Sequence, residues 1–321
     1  MPLKKRKLGK TNLEVAEIGT GLWAGGGDSW GKTEDKDTFE AIEKSLEMGV
    51  NFFDTADVYG HSEELLGQAM KGRRDKFIVS TKIGWINFNG ETQSTQYTTV
   101  DKLIAGFESN LKRLQTDHVE ILFCHINFEH KTHPVFIEGF EKLKKQGKVK
   151  HYGVSTSDFE YLKKFNIEGK CSVVQIDYSI LNRTPEADIL PYCEKEDIGT
   201  VIRGPLAMGI LAGKFNRGSK FGAGDFRQNW QEKPDEKKIF IEDLEKVERL
   251  KPLTRGKNLA QLALQFTLAN PATSVIIPGA KNGKQVEDNV SAGLLAPLDR
   301  EDLKKIEEIT PPRGGRKIWP A

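Results

Sequence analysis

The sequence predicts an α/β barrel in which eight parallel strands alternate with helices, the (β/α)8 or TIM barrel. Eight short apolar runs recur along the 321 residues, and helix-length amphipathic stretches separate them. Continuous apolar runs are typical of parallel strands, because helices cover both faces of the sheet. No linker rich in Pro, Gly or Ser divides the chain. We therefore expect one domain over residues 1–321, although length alone would also allow two.

A short hairpin is predicted before the first strand. Residues 6–15 contain the turn sequence Gly9-Lys10-Thr11-Asn12, and we expect this hairpin to close the floor of the barrel. The eight predicted strands follow at residues 17–21, 52–53, 77–79, 119–123, 149–154, 173–176, 200–202 and 274–277. The remainder of the chain allows an extra C-terminal helix and a tail.

Helices are predicted between these strands. The clearest has one apolar stripe, formed by Val100, Leu103, Ile104, Phe107, Leu111 and Leu114. After the seventh strand, residues 216–238 are rich in Gly, charged and aromatic residues, and the next periodic helix starts only near Leu259. We expect residues 216–238 to form a long active-site loop, and the alternative is a disordered surface insertion.

Charge and composition exclude several classes of partner. The 48 Lys and Arg residues against 46 Asp and Glu residues leave a net charge of +2, which supplies no strong field for nucleic acid or an anionic membrane. No apolar run approaches the ~20 residues that a membrane span needs. We therefore expect neither nucleic acid nor a membrane as partner, and a small molecule as substrate.

The cysteines and the first residues predict a cytoplasmic location. Cys124, Cys171 and Cys193 are an odd number in a large chain, which suggests no disulfide framework and a reducing compartment. The basic start is followed by polar residues, so it is not a secretory signal. The basic run 4–7 could instead be a nuclear address, although we favour a solvated N-terminal strand.

Polar residues interrupt the predicted strands at one end, where barrel enzymes gather their reactive groups. These residues are Asp54, Lys82, His125, Ser155, Gln175 and Arg203. Individually each signal is weak, because a lone lysine is often solvated and a lone histidine is often a core residue. Together, six polar side chains at one rim predict an active site.

Tyr59 lies five residues after Asp54 and adds a proton donor to this rim. An ordinary tyrosine has a pKa of ~10, and we expect the charge of Lys82 to lower that pKa toward neutrality. Asp54 would hold Lys82 charged, and His125 would orient a carbonyl oxygen beside the phenol. An oxygen gains negative charge when hydride attacks its carbonyl carbon, so this arrangement predicts a hydride donor.

These residues lie in strings that resemble the aldo-keto reductase family over almost the whole chain. The strings are IGTGLW, FFDTADVYG, VSTK, SNLKRLQTDHVE, ILFCH, GKVKHYGVS, VVQIDYSILNR, RGPLAMGILAGK and VIIPGAKNGKQVEDN. The resemblance implies a catalytic tetrad of Asp54, Tyr59, Lys82 and His125. It also implies a nicotinamide dinucleotide bound in extended form, without a Rossmann unit.

The resemblance further implies the residues that hold this cofactor. Beside the nicotinamide it places Gly21, Leu22, Trp23, Asp54, Ser155, Gln175 and Arg203. Along the pyrophosphate it places Gly204, Pro205, Leu206, Leu211, Ala212, Gly213 and Lys214, and at the adenosine end Gly279, Lys281, Gln285, Asp288 and Asn289. A lysine at position 281 should favour the 2′-phosphate of NADP(H), and the alternative is an ordinary lysine at a helix start.

Three positions depart from the family pattern. Ile126-Asn127-Phe128 replaces a proline and aspartate string after His125, and Thr156 stands where an asparagine is frequent. Arg203 replaces an aromatic ring against the nicotinamide. Its guanidinium can stack on a ring, but its charge disfavours the oxidised nicotinamide cation, so contact with the ring should favour NADPH over NADP⁺.

The predicted function is the reversible, NADPH-dependent reduction of an aldehyde or ketone to an alcohol. One alternative makes Lys82 the Schiff-base nucleophile of an aldolase. Another is a cofactor-sensing subunit similar to the β subunits of potassium channels. We expect no metal site, because His130 and His133 lack a second spaced pair of ligands. An apolar substrate pocket could be lined by Trp30, Trp85, Phe88, Phe128 and Trp230, which could equally be loop anchors.

Overall fold

Eight parallel strands form the centre of the computed structural model, which describes residues 2–27, 30, 33–87, 95–125, 133–222 and 224–316. The strands of the described chain are β1 (Lys5–Lys7), β2 (Glu14–Ala16), β3 (Thr20–Gly21), β4 (Phe52–Asp54), β5 (Ile78–Ile83), β6 (Trp85–Asn87), β7 (Thr95–Gln96), β8 (Val119–Cys124), β9 (Val149–Ser155), β10 (Val173–Asp177), β11 (Gly199–Arg203) and β12 (Val275–Ile276). The large sheet has the order β3-β4-β5-β8-β9-β10-β11-β12.

Backbone hydrogen bonds between the first and last strands close this sheet into a barrel. The amide of Gly19 donates to the carbonyl of Ile276 over 2.8 Å, and the amide of Ile276 donates to the carbonyl of Glu17 over 3.0 Å. The predicted (β/α)8 barrel is therefore confirmed. Each predicted apolar run supplies one barrel strand, in the expected order.

Helices follow the barrel strands and pack outside them. They are α1 (Asp35–Glu47), α2 (Ser62–Met70), α3 (Val100–Arg113), α4 (His133–Lys145), α5 (Phe159–Phe165), α6 (Ile189–Lys195), α7 (Asn229–Glu232), α8 (Pro234–Leu250), α9 (Leu259–Ala269), α10 (Gly283–Leu294) and α11 (Arg300–Ile309). The last of these is the predicted C-terminal helix. Within the described part of the chain, no helix combines the length and apolar character needed to cross a membrane.

The N-terminal hairpin closes the barrel floor, as expected. Strands β1 and β2 pair antiparallel, with Lys5 opposite Ala16. The turn lies against the start of β11, because a Cβ atom added to Gly9 would lie only 2.2 Å from the backbone nitrogen of Gly199. Gly9 has φ +48°, so both its conformation and this close approach require glycine.

The barrel interior is apolar toward the amino ends of the strands and polar at their carboxyl ends. Its buried apolar cluster comprises Leu8, Val15, Phe52, Ile121, Phe123, Val173, Val201, Val275 and Ile277. Side chains of a strand alternate between the two faces, so the residue two positions after an inward-facing one also faces inward. Asp54 follows Phe52 in this way, as Arg203 follows Val201. The alternation that fills the core thus brings the polar residues to the carboxyl ends of the strands.

The connection after the seventh strand is shorter than predicted. Residues 216–238 contain two helical turns, Phe226–Gln228 and Asn229–Glu232, and the first residues of α8. Helix α8 buries Phe240, Leu244, Val247 and Leu250 on one face. The expected start of helical structure near Leu259 is therefore wrong, since a sparse apolar stripe in a highly charged segment is enough when it packs into the hydrophobic core.

Candidate active site

A buried ion pair between Lys82 and Asp54 forms the base of the site. Lys82 Nζ lies 2.6 Å from Asp54 Oδ2 and donates to the carbonyl oxygen of Thr55 over 2.8 Å. Ser80 and Gln175 donate to the other oxygen, Asp54 Oδ1, over 2.7 and 2.9 Å. Burial alone would lower the pKa of Lys82, but Asp54 and Tyr59 outweigh it and raise that pKa above its usual value. Lys82 is therefore a fixed cation.

Tyr59 lies directly above this cation. Lys82 Nζ is 4.6 Å from the centroid of the Tyr59 ring. Trp23 stacks on one side of that ring at 5.5 Å, and His125 meets it edge-on at 5.7 Å. The expected lowering of the Tyr59 pKa is wrong: burial raises the pKa above 10, and Lys82 only reduces this rise. The phenol is consequently protonated at neutral pH.

Two glycines hold the turn that carries Tyr59, a feature that sequence analysis missed. A Cβ atom added to Gly26 would lie 1.9 Å from the carbonyl oxygen of Tyr59, and one added to Gly60 would lie 1.7 Å from the carbonyl oxygen of Gly26. The amide of His61 donates to that same oxygen of Gly26 over 2.8 Å. The Tyr59 turn is thereby packed backbone to backbone against the segment that follows Trp23.

His125 follows β8 and lines the site as a neutral imidazole. Its amide donates to the carbonyl of Ile83 over 3.0 Å, and the Trp85 ring lies 5.1 Å away. Burial, together with the charges of Lys82 and Arg203, holds the pKa of His125 well below its ordinary value. A neutral imidazole carries one N–H and can donate one hydrogen bond to a substrate oxygen.

A groove of about 640 Å³ runs over these residues and along the carboxyl ends of the strands. The predicted site residues that line it are Gly21, Trp23, Asp54, Tyr59, His125, Ser155, Gln175, Arg203, Gly204, Pro205, Leu206, Ala212, Lys214, Gly279, Lys281, Gln285, Asp288 and Asn289. Lys82 lies beneath this lining and is completely buried. The structure therefore brings three members of the predicted tetrad and most predicted cofactor contacts to one groove, with Lys82 directly beneath it.

Three residues expected at the cofactor do not line the groove. Leu22 and Leu211 are instead buried in the hydrophobic core. Gly213 ends the helical turn 207–212 with φ +73° and approaches Leu259 instead. Thr156 is also occupied elsewhere, since its hydroxyl accepts a hydrogen bond from the amide of Asp158 over 3.1 Å.

The donors in the groove fit a nicotinamide dinucleotide. Ser155 Oγ and the Nε and Nη1 atoms of Arg203 are buried, and they have no hydrogen-bond partner among the described residues. Buried polar atoms of this kind normally have a partner, which here would be a bound ligand. Lys214, Arg227 and Lys281 also line the groove and are close enough that their charges interact, so this part of the groove suits phosphate groups.

Arg227 is a further groove residue that the sequence did not single out. Its guanidinium donates to Asp225 over 2.8 Å and lies 5.0 Å from the centre of the Trp30 ring. Lys281 Nζ donates to the backbone oxygen of Trp30. Part of the segment 216–238 therefore does reach the groove, as expected of an active-site loop, and it contacts the residues that follow the first strand.

The expected substrate-pocket aromatics divide into three groups. Trp30 and Trp85 line the groove. Trp230 does not: it is buried and stacks on Phe240 at 5.3 Å, so it is a loop anchor. Phe88 and Phe128 lie outside the described residues, as do His130 and the whole of Ile126-Asn127-Phe128.

Comparison with known proteins agrees with this geometry. The model of the Aldo/keto reductase family matches residues 17–311. Aldo-keto reductase YhdN of Bacillus subtilis (strain 168) is 31% identical over 311 residues, which are 94% of this chain and 92% of that protein. A probable voltage-gated potassium channel subunit beta of Arabidopsis thaliana is 28% identical and covers 97% of this chain and 98% of its own.

Solved structures give the same result. The holo form of aldo-keto reductase AKR11C1 from Bacillus halodurans is 28% identical, with a TM-score of 0.80 and 98% of each chain covered. The family match spans all eight barrel strands, from Glu17 to beyond β12. This chain belongs to the aldo/keto reductase family.

Proposed function

We propose that the protein reduces an aldehyde or ketone to an alcohol with NADPH, in a reversible reaction. One observation supports this most directly: the Tyr59 ring lies over the buried Lys82–Asp54 ion pair and beside the His125 ring in one groove. Membership of the family supports an oxidoreductase that uses a nicotinamide cofactor. The identity of the acid and the preference for NADP(H) are the proposed steps beyond that membership.

In this mechanism Tyr59 donates its proton to the carbonyl oxygen. NADPH, when bound, supplies the hydride that attacks the carbonyl carbon. Lys82 stabilises the phenolate that remains, and Asp54 keeps Lys82 charged and in place. His125 donates a hydrogen bond that orients the carbonyl oxygen toward Tyr59. In the direction of alcohol oxidation, the Tyr59 phenolate would accept the proton.

The basic half of the groove supports NADP(H) as the cofactor. Lys281 precedes α10, and its backbone amide donates to the side chain of Gln285 over 2.9 Å. Its ammonium group is partly buried, and burial together with the charge of Arg227 lowers its pKa. A phosphate group beside Lys281 would relieve this repulsion between cations, which favours the 2′-phosphate of NADP(H) over the free hydroxyl of NAD(H).

The Schiff-base alternative has little support from the site. A nucleophilic amine needs a free lone pair and hence a lowered pKa. Lys82 instead has a raised pKa and is bonded to both Asp54 and Thr55. The role of a cofactor-sensing subunit is favoured by one observation, the similarity to a probable channel β subunit. A subunit that only senses the cofactor needs no catalytic groups. The presence of Tyr59, Lys82 and His125 together therefore argues for turnover.

A spectrophotometric screen tests the proposal. Purified protein and NADPH are mixed with a panel of aldehydes, ketones and sugars, and the loss of NADPH absorbance is followed. We expect turnover with at least one carbonyl compound, and turnover about 10³-fold slower in the Tyr59→Phe variant. Tight binding of NADPH with no turnover over the whole panel would contradict reduction and support the sensing role. Trapping of substrate on Lys82 by borohydride would support the aldolase instead.

A further inference from the structure

We propose that Asp57 is a positioning residue for His125, and that its carboxyl group decides which ring nitrogen of His125 carries the proton. His125 Nδ1 lies 3.9 Å from Asp57 Oδ1. Both atoms are buried, and neither has a hydrogen-bond partner among the described residues. The inference rests on the proposed function, because it concerns the hydrogen bond that His125 offers to a substrate oxygen.

The position of Asp57 is fixed by the backbone around it. Its amide donates to the carbonyl of Lys82 over 3.3 Å, and the backbone amides of Val58 and Gly84 interact favourably with its carboxylate form. The side chain is 11% exposed and that of His125 is 8% exposed. A separation of 3.9 Å is longer than a hydrogen bond, but catalytic contacts are often long in the absence of substrate and tighten when it binds.

Proton counting shows why this contact controls the site. A neutral imidazole carries one proton, so Nδ1 and Nε2 cannot both donate. When Asp57 is protonated, its O–H can donate to Nδ1, which leaves the proton on Nε2, the nitrogen available to a substrate oxygen. When the pair loses one proton to solvent, the Asp57 carboxylate accepts from Nδ1–H. Nε2 then becomes an acceptor that repels a carbonyl oxygen.

The charged surroundings favour these two states over an imidazolium. Burial and the positive charges of Lys82 and Arg203 lower the pKa of His125, and the negative charge of Asp54 only partly opposes them. The imidazolium form of His125 is therefore disfavoured. The positive charges of Arg113 and Lys82 lower the pKa of Asp57. The negative charge of Asp57 in turn raises the pKa values of Tyr97 and Glu63. Burial outweighs the cations and raises the pKa of Asp57 to about 7. The carboxyl group therefore changes its protonation close to neutral pH.

The sign of the pH effect follows directly. Below about pH 7 Asp57 is neutral, Nε2 carries the proton and carbonyl reduction has both of its donors. Above that pH Asp57 is ionised and the donor on Nε2 is lost. Losing one preorganised donor to a developing oxyanion costs about a hundredfold in rate. We expect kcat/KM for reduction to fall by about that factor as the pH rises through the titration of Asp57.

Asp57→Asn tests the inference, with Glu63→Gln as the matched control. The asparagine cannot titrate, and the amides of Val58 and Gly84 would hold its oxygen so that its NH2 group faces Nδ1. We expect the fall in kcat/KM near neutral pH to disappear. Glu63 is another buried carboxyl group with a pKa raised by burial to about 7, but it is bonded to Thr81 and Arg113. Glu63→Gln should keep the fall in rate.

Nitrogen-15 NMR of the His125 ring gives a readout that does not need turnover, with a His125→Asn sample to assign the signals. In the wild-type protein with NADPH we expect the ring proton to move from Nε2 to Nδ1 as the pH rises, and in Asp57→Asn to stay on Nε2. A single tautomer throughout in the wild type would overturn the inference, even if Asp57→Asn failed to fold. The inference would also be overturned if the ring proton still moved with pH in Asp57→Asn, or if it stopped moving in Glu63→Gln. Absence of turnover with a normal tautomer change would contradict only the proposed function.

Discussion

Phe226 stacks on Trp23 with ring centroids 5.9 Å apart and planes 3° from parallel. Trp23 follows the first barrel strand, whereas Phe226 belongs to the connection after the seventh strand, so the pair joins two segments that are distant in sequence. Both rings line the groove, and Trp30 meets Phe226 edge-on at 4.9 Å. The aromatic contact therefore holds the long connection against the start of the site.

Removing this contact should loosen cofactor binding. In Phe226→Ala we expect the Kd for NADPH to rise about fivefold, mainly through faster dissociation, because an aromatic pair contributes about 1 kcal/mol beyond its buried area. Stopped-flow fluorescence of NADPH release measures this. Phe159→Ala is the control, since Phe159 makes a similar edge contact with Tyr192 outside the groove lining. Equal release rates in all three proteins would contradict a holding role for Phe226.

Replacing the proposed acid should affect catalysis and leave binding intact. In Tyr59→Phe we expect kcat for carbonyl reduction to fall by about 10³-fold, because general-acid catalysis contributes about 10²–10⁴. The ring still stacks on Trp23, so the Kd for NADPH should change less than twofold, as measured by fluorescence titration. Turnover close to that of the wild type would assign the proton donor to another group.

The strand ends explain why so much of this site could be predicted. Asp54, Lys82 and Gln175 come from three different strands, but parallel strands bring their carboxyl ends to one edge, so sequence position alone places them together. Hydrogen bonds of 2.6 and 2.9 Å now join them. No comparable rule governs side chains on loops, which is why the approach of Asp57 to His125 and of Phe226 to Trp23 was not foreseen.

The errors also have physical causes. The pKa of Tyr59 was expected to fall because Lys82 is close, but burial has the larger effect, and burial depends on the complete packing of the site. Leu22 and Leu211 were expected at the cofactor from their positions in family strings, yet their side chains point into the core. A family string gives the backbone path past a site, but it does not give the side-chain direction of each residue on that path.

Lys281 should determine the preference between the two nicotinamide cofactors. In Lys281→Ala we expect the Kd for NADPH to rise by 10- to 100-fold, about 1.5–3 kcal/mol for a hydrogen bond to a charged group. The Kd for NADH should change little, because NADH has no 2′-phosphate. Lys305→Ala is the control: Lys305 is partly exposed on α11 and pairs with Glu301, outside the groove lining. Isothermal titration calorimetry measures both Kd values. An equal loss of affinity for NADPH and NADH would show that Lys281 contacts a part of the cofactor other than the 2′-phosphate.

Arg203 should make the site favour the reduced cofactor. Its guanidinium lines the groove at the end of β11, with Nη2 donating to Ser157 over 3.4 Å. A cation near the nicotinamide repels the positive ring of NADP⁺ but not the neutral ring of NADPH. We expect NADPH to bind on the order of tenfold more tightly than NADP⁺, and Arg203→Met to remove that difference. Comparable dissociation constants in the wild type would show that Arg203 does not act on the ring.

The close contact between Gly60 and Gly26 should couple stability to activity. In Gly60→Ala the new Cβ would lie 1.7 Å from the carbonyl oxygen of Gly26, at a residue with φ +55°, so the backbone must shift. Gly72→Ala is the matched control, because Gly72 has φ +75° and nothing within 4 Å of the added atom.

Both variants incur the cost of a left-handed alanine, about 1–2 kcal/mol, and we expect a Tm lowered by a few degrees in Gly72→Ala with kcat unchanged. Gly60→Ala should lose more stability. It should also lose kcat by more than tenfold, since displacing the Tyr59 turn by about 1 Å disturbs proton transfer. A normal kcat in a folded Gly60→Ala protein would show that the glycine contact does not set the position of Tyr59.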